Sequence, residues 1–220
     1  MTSRLDVLYH DTHLLALNKP AGLLTQPGSL GRDNLEDRAK AWVKERKNKP
    51  GAVYLHAVHR LDRAVSGIVL CACTSKALVR LQEAQRNRLF EKVYHAVVTG
   101  CMPQARGTLE HWLTHASHRA QMAERNAPHA RECRLEYRVL KRRGELALLE
   151  IRIITGRYHQ IRAQLAACGC PILGDGKYGS RTSLHGGAIA LHHVRLRLNH
   201  PVGSEPLDVY APYPERFPAP

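Results

Sequence analysis

His59-Arg60-Leu61-Asp62 is the stretch of this chain whose residue types could do chemistry. Arg63-Ala64-Val65-Ser66-Gly67 follows, and then the apolar run Ile68 to Cys73. A carboxylate at the entrance of a buried strand is costly unless it is paired. With Arg60 and Arg63 on either side, the ionised form of Asp62 is favoured, which a nucleophile or general base at neutral pH requires. From these residues alone a structural ion pair at the strand entrance is the commoner outcome and catalysis the rarer one, because structural pairs perturb carboxylates too.

The other reactive residue types form no such constellation. Six cysteines occur, none in a CxxC pair, and Cys71 and Cys73 read as small buried apolar residues of one strand face. Among fourteen histidines, His111, His115 and His118 have helical spacing, but no set has regular zinc-ligand spacing. A metal is therefore expected to be absent. Met1 to Asp6 lacks the apolar core of a signal peptide and no run reaches membrane-spanning length. A reduced, cytoplasmic protein without a membrane partner is the expectation.

The chain has 220 residues, and 33 Lys+Arg against 19 Asp+Glu give a formal net charge of +14. The excess is shared equally, +7 on each side of Gly100, so it belongs to the folded body rather than to a tail. Such a body favours a polyanion, with counterion release as the driving force. Arginine dominates, and its planar fork suits phosphates and base edges.

These residues need elements to hold them. Leu5–Tyr9 and His13–Leu17 predict a strand pair, and Asn18-Lys19-Pro20-Ala21-Gly22 a turn that continues through Gln26-Pro27-Gly28 to Gly31. Asp33 and Glu36 have capping-box spacing for a helix carrying Leu35, Ala39, Trp42 and Val43 on one face. Tyr54–Val58 leads into the Asp62 motif, Gly67–Cys73 is a strand, Ser75–Arg88 a second helix and Val93–Thr99 a strand. Residues 101–131 read as a long, basic, solvent-facing excursion. Cys133–Val139 and Ala147–Ile153 alternate apolar with polar and predict an antiparallel hairpin. A helix over Tyr158–Cys168 capped by Gly169, a strand over Ala188–Leu198 and an extended end from Pro206 complete the chain. The class is α+β with a mixed, largely antiparallel sheet. One domain over residues 1–220 is expected, with subdomains near 1–100 and 101–220. No exposed apolar helix face or heptad is evident, so a monomer is expected.

Three separated segments, in order and spacing, resemble the RluA-type pseudouridine synthases: Asn18 to Leu24, His59 to Gly67, and Thr155-Gly156-Arg157-Tyr158-His159-Gln160-Ile161-Arg162. Cys170 to Asp175 and Leu191-His192 extend the likeness, which runs from about residue 5 to residue 210. The departure is Val65, where the family pattern has a threonine. The family's frequent S4-type RNA-binding domain has no counterpart here, so the catalytic domain's own surface is expected to hold the RNA.

The resemblance implies a pseudouridine synthase fold with an active-site cleft between two subdomains. It also implies isomerisation of uridine in structured RNA, an rRNA or tRNA stem-loop, without a cofactor. Asp62 matches the family's catalytic aspartate, Arg162 the arginine that pairs with it, and Tyr94 the active-site tyrosine. Arg60 matches the arginine that fills the space left by the flipped base. His59, Arg63, Lys19, Arg157 and His159 are expected on the RNA. Two other readings stay open on sequence: a non-catalytic RNA-binding protein on the same fold, and a zinc-dependent nucleic-acid enzyme.

Overall fold

The structure, a computed structural model, describes residues 5–28, 31–48, 50–100 and 102–218. Met1 to Arg4, part of the Gln26–Gly31 loop and Cys101 lie outside the described residues. In chain order the elements are β1 (Val7–His10), β2 (Leu14–Lys19), α1 (Leu35–Arg46), β3 (His56–Ala57), β4 (Ser66–Ala72), α2 (Ser75–Arg86), β5 (Glu91–Thr99), β6 (Arg106–Ala116), β7 (Arg119–Ala123), β8 (Arg131–Arg143), β9 (Leu146–Ile153), α3 (Gln160–Ala167), β10 (Leu191–Asn199) and β11 (Pro206–Tyr210). The α+β class expected from the sequence is the one observed.

The chain forms two compact units, Met1–Glu91 with His193–Pro214, and Lys92–His192 with Glu215–Pro220. The expected division near residue 100 therefore shifts to residue 91, and the first unit takes back a C-terminal piece. The reason is strand pairing: β10 returns to lie beside β4, and β11 pairs with β10.

In the first unit the strand order is β1-β2-β4-β10. β2 and β4 run antiparallel from Leu14↔Ala72 to Lys19↔Gly67. Every residue of β4 is buried, which is why its sequence is an unbroken apolar run rather than an alternation. Leu14, Ala16, Ile68 and Leu70 pack with Ala77 and Leu81 of α2 and with Leu196 and Leu198 of β10. Gly67 has φ +113°, and a Cβ there would overlap the backbone of His193, so only glycine permits this approach of β4 and β10.

Helix α1 starts one residue later than the capping-box spacing predicts. Asn34 is the cap, its side chain accepting from the Asp37 amide at 2.9 Å, while Asp33 pairs with Arg38. Glu36 is buried instead, accepting from the Ala57 amide at 3.0 Å and from Lys40 at 2.9 Å.

In the second unit the order is β5-β9-β8-β6-β7, all antiparallel neighbours. The hairpin predicted over 133–153 is β8 and β9, which pair from Leu135↔Ile153 to Arg143↔Leu146. Residues 106–123 are not an irregular excursion: they form the β6–β7 hairpin, turned at Ser117-His118, both at positive φ. The alternation was present but weak, because the positions facing the core include Gly107 and His111 as well as Leu109 and Leu113. His111, His115 and His118 accordingly lie on a hairpin and not on a helix. Leu113, Ala120 and Cys133 pack with Ala163 of α3 and Tyr178.

Candidate active site

Asp62 lies in the loop just before β4, in a turn closed by the Val65 amide donating to the Asp62 carbonyl at 3.0 Å. Both of its neighbours are fixed through their backbones. The Thr25 hydroxyl accepts from the Leu61 amide at 3.1 Å and donates to the Leu61 carbonyl at 2.9 Å. The Gly22 amide donates to the Arg63 carbonyl at 2.7 Å. The 18–25 loop is in turn anchored to α1, whose Leu35 and Glu36 amides donate to the Leu24 and Thr25 carbonyls at 2.8 and 3.1 Å. Two of the helix's otherwise unpartnered first-turn donors are thereby satisfied.

Lys19 sits beneath this arrangement, fully buried. Its ammonium donates to the carbonyls of Pro20 and Leu23, each at 2.9 Å, and of Arg63 at 3.4 Å. Burial pulls its pKa down to about 7, with the Asp62 carboxylate acting in the opposite direction. An ammonium has three donors, so these carbonyls account for its hydrogen-bonding capacity. Lys19 is thus not the RNA contact expected of it. It staples the 18–25 loop to the Asp62 loop.

His59 is also spent indoors. Its Nε2 accepts from the Leu70 amide at 3.2 Å, and its ring meets His193 at 5.5 Å between centroids. His193 Nδ1 bonds the Ile68 carbonyl at 2.8 Å. These bonds brace the start of the motif against β4 and take His59 off the list of surface contacts. Arg60 and Arg63 are exposed, and Asp62 between them is part-exposed. Val65, where the family pattern has a hydroxyl, is buried.

The second unit assembles the 155–162 segment. Thr155 Oγ1 accepts from the Arg134 amide at 2.8 Å and donates to Gln160 Oε1 at 2.8 Å. Gln160 Oε1 also accepts from the Arg157 amide at 3.1 Å. Gln160, and not the left-handed His159, therefore closes the entrance to α3. His159 is buried, its ring stacked on Tyr158 at 3.8 Å and its Nδ1 3.0 Å from the Tyr178 hydroxyl. It too is removed from the expected RNA contacts, whereas Arg157 is exposed.

Arg162 is buried on α3 rather than facing solvent. Its Nε and Nη2 donate to the two oxygens of Asp175 at 2.7 and 2.8 Å, a bidentate pair, and its guanidinium lies 5.0 Å over the Tyr178 ring. Asp175 fixes the guanidinium within its plane and Tyr178 limits tilt out of it. Sequence reading gave no role to Asp175, Tyr178, Thr25 or Gln160. Asp175 carried a signal in principle, being a lone carboxylate in an apolar segment after a helix. Tyr94 is buried on β5, opposite Ile151 of β9. Among the described residues no cluster of metal-ligating side chains occurs.

Residues 13–167 match the family model for RNA pseudouridylate synthase. Ribosomal large subunit pseudouridine synthase D of Xanthomonas campestris is 35% identical over 96% of this chain and 66% of its own length. Ribosomal large subunit pseudouridine synthase C of Vibrio vulnificus is 32% identical over the same shares. The chain thus spans about two thirds of the length of these curated relatives. Human RNA Pseudouridylate Synthase Domain Containing 4 superposes with a TM-score of 0.80, at 25% identity over 96% of this chain and 90% of the human one. A family model covering most of the chain, relatives matched along nearly all of it and a shared fold converge on one conclusion: this chain belongs to the RNA pseudouridylate synthase family.

Proposed function

We propose that the protein isomerises uridine to pseudouridine within RNA, with Asp62 as the catalytic carboxylate. The observation that carries this is the fixation of Asp62 between Leu61 and Arg63, whose backbones are held by Thr25, Gly22 and Lys19. Chemistry at a sugar carbon needs a carboxylate held in one place, because orientation supplies much of the rate. In the reaction the N1–C1′ bond breaks, the uracil turns, C5 joins C1′, the C5 proton is released and N1 takes up a proton. No redox change occurs and no group is lost, so the residues themselves suffice.

Arg162 serves as the cationic partner of Asp62, and Tyr94 as the ring against the uracil and a relay for protons. Both roles rest on the resemblance, and for Arg162 also on the restraint of its guanidinium. A stacked uridine is out of reach, so it is flipped out, with exposed Arg60 filling the space it leaves. Arg60, Arg63 and Arg157 take phosphates. The names of the relatives favour large-subunit ribosomal RNA over transfer RNA as the target class. The protein acts as a monomer in the reducing cytoplasm. No described helix is long and apolar enough to cross a membrane.

Release of tritium from RNA labelled at uridine C5 tests the reading. Wild-type protein is expected to release it, and Asp62→Asn to lose the activity. RNA binding without any tritium release from the wild type would instead favour a non-catalytic RNA-binding protein.

A further inference from the structure

β7 is the last strand in the order of the second unit, and it pairs with β6 from Trp112↔Ala123 to Ala116↔Arg119. The turn between them consists of Ser117 at φ 47° and His118 at φ 61°, so Ala116↔Arg119 is a hydrogen-bonded pair and Ala120, opposite His115, belongs to a pair that is not. The Ala120 N–H and C=O therefore point away from β6. They meet the Tyr178 hydroxyl, which accepts from the amide at 2.8 Å and donates to the carbonyl at 3.2 Å. His159 Nδ1 lies 3.0 Å from the same oxygen. A hydroxyl has one proton and two lone pairs, so with Nδ1 as a donor all three are engaged and the hydroxyl is fixed in place.

The ring that carries this hydroxyl is shared. The Arg162 guanidinium of α3 lies 5.0 Å over it, and the Arg119 guanidinium of β7 4.8 Å over it. Arg162 is buried against Asp175, whereas Arg119 is exposed and has no carboxylate partner among the described residues. Ala120 packs with Ala163, but beside them lies a cavity of about 340 Å³, lined by Gln121 and Met122 of β7 and by Ala163, Ala166 and Ala167 of α3. The alanines are too short to fill it, so packing transmits little between the strand and the helix there. Tyr178 makes the firm connection instead. Covering an edge strand explains a side chain at this place. It does not explain why that side chain is also the one over which Arg162 lies.

We propose that the β6–β7 hairpin positions Arg162, acting through the hydroxyl and ring of Tyr178. This deepens the isomerase reading above, on which the role of Arg162 rests. Asp175 holds the guanidinium at its edge, and the Tyr178 ring holds it from the face, so a shift of β7 moves the cation by way of Tyr178. Tyr178 is thus a positioning residue, which acts on the reaction through Arg162.

Two variants cut the link from opposite ends. Tyr178→Phe keeps the ring and removes the hydroxyl. Ala120→Pro removes the amide that donates to it, at an edge-strand position outside the β6–β7 ladder, where proline is accommodated. Each is read by tritium release and by hydrogen exchange at Arg162 Nε–H in protein carrying isotope-labelled arginine, the signal being identified by its loss in Arg162→Lys. Both variants are expected to lower kcat by about 10- to 100-fold, the scale of a small misplacement at a reacting group, and to keep KM within about 2-fold of the wild type. Exchange at Arg162 Nε–H is expected to rise about 10-fold or more while the β4 amides exchange as in the wild type, because only a local restraint is lost. If Ala120→Pro unfolds the hairpin, Tyr178→Phe decides alone. A purely structural role would lower the unfolding midpoint and leave kcat unchanged. Wild-type kcat, wild-type exchange at Arg162, or a rise in KM in place of the fall in kcat would each overturn the positioning role. Exchange needs no turnover, so the two readings fail separately. Faster exchange in the variants of a protein whose wild type releases no tritium sinks the isomerase reading alone. Normal release by the wild type and by both variants sinks the positioning role alone.

Discussion

At the scale of single residues, the account depends on how a buried lysine holds a loop. In the unfolded chain Lys19 titrates near 10.5, and in the folded protein near 7. Between these values the unfolded chain binds a proton that the folded one has released, so this residue favours folding increasingly as pH rises from about 7 toward 10.5. The neutral amine still has two N–H donors, enough for the two 2.9 Å bonds to Pro20 and Leu23. Lys19→Met should lower stability at all pH values by stranding these carbonyls. Urea midpoints measured from pH 7 to 10 should show the gap between wild type and variant widening with pH; a constant gap would contradict the assignment. Thr25 offers a simpler test. Thr25→Val keeps the shape but cuts both bonds to Leu61, an expected cost of about 1–3 kcal/mol in thermal unfolding. The turnover number should fall as the Asp62 loop loosens, and Thr25→Ser should restore both.

At the scale of elements, the parts of the chain differ in how openly they declare themselves. The strands over 133–139 and 147–153 were legible because one face of each is buried and the other wet, so apolar and polar residues alternate. The apolar run of β4 was legible as a buried strand for the opposite reason, both faces being covered. The β6–β7 hairpin was not, because histidines and a glycine occupy positions that usually carry larger apolar side chains. Asp62 was singled out through the family resemblance, since its arginine neighbours alone favoured a structural ion pair. Its supports were not: the bonds from Thr25, Gly22 and Lys19 join residues roughly forty positions apart, and no local spacing encodes them. Lys19 and His59 misled for a related reason, since a polar side chain that satisfies buried backbone groups looks in sequence like a surface contact. Gly67 gives the element-scale prediction. Gly67→Ala would drive a methyl group into the His193 backbone at the junction of β4 and β10, so the variant should accumulate as insoluble protein while a surface change such as Arg80→Ala stays soluble.

At the scale of the whole molecule, a body carrying +14 should bind RNA with strong dependence on salt. The logarithm of affinity should fall linearly with the logarithm of salt concentration, and Arg63→Ala should reduce that slope by about one phosphate's contribution, roughly 0.7–0.9. An unchanged slope would remove Arg63 from the contact surface. The buried Arg162–Asp175 pair adds a requirement of its own. Asp175→Ala leaves a buried guanidinium without its bidentate partner, an expected cost of about 3–5 kcal/mol in urea unfolding.

The measurement that bears most directly on the central claim is tritium release from RNA labelled at uridine C5, comparing wild type with Asp62→Asn under identical RNA binding. The account predicts release by the wild type and a rate at least about 100-fold lower in the variant, with RNA affinity unchanged. Release by Asp62→Asn at the wild-type rate would contradict it.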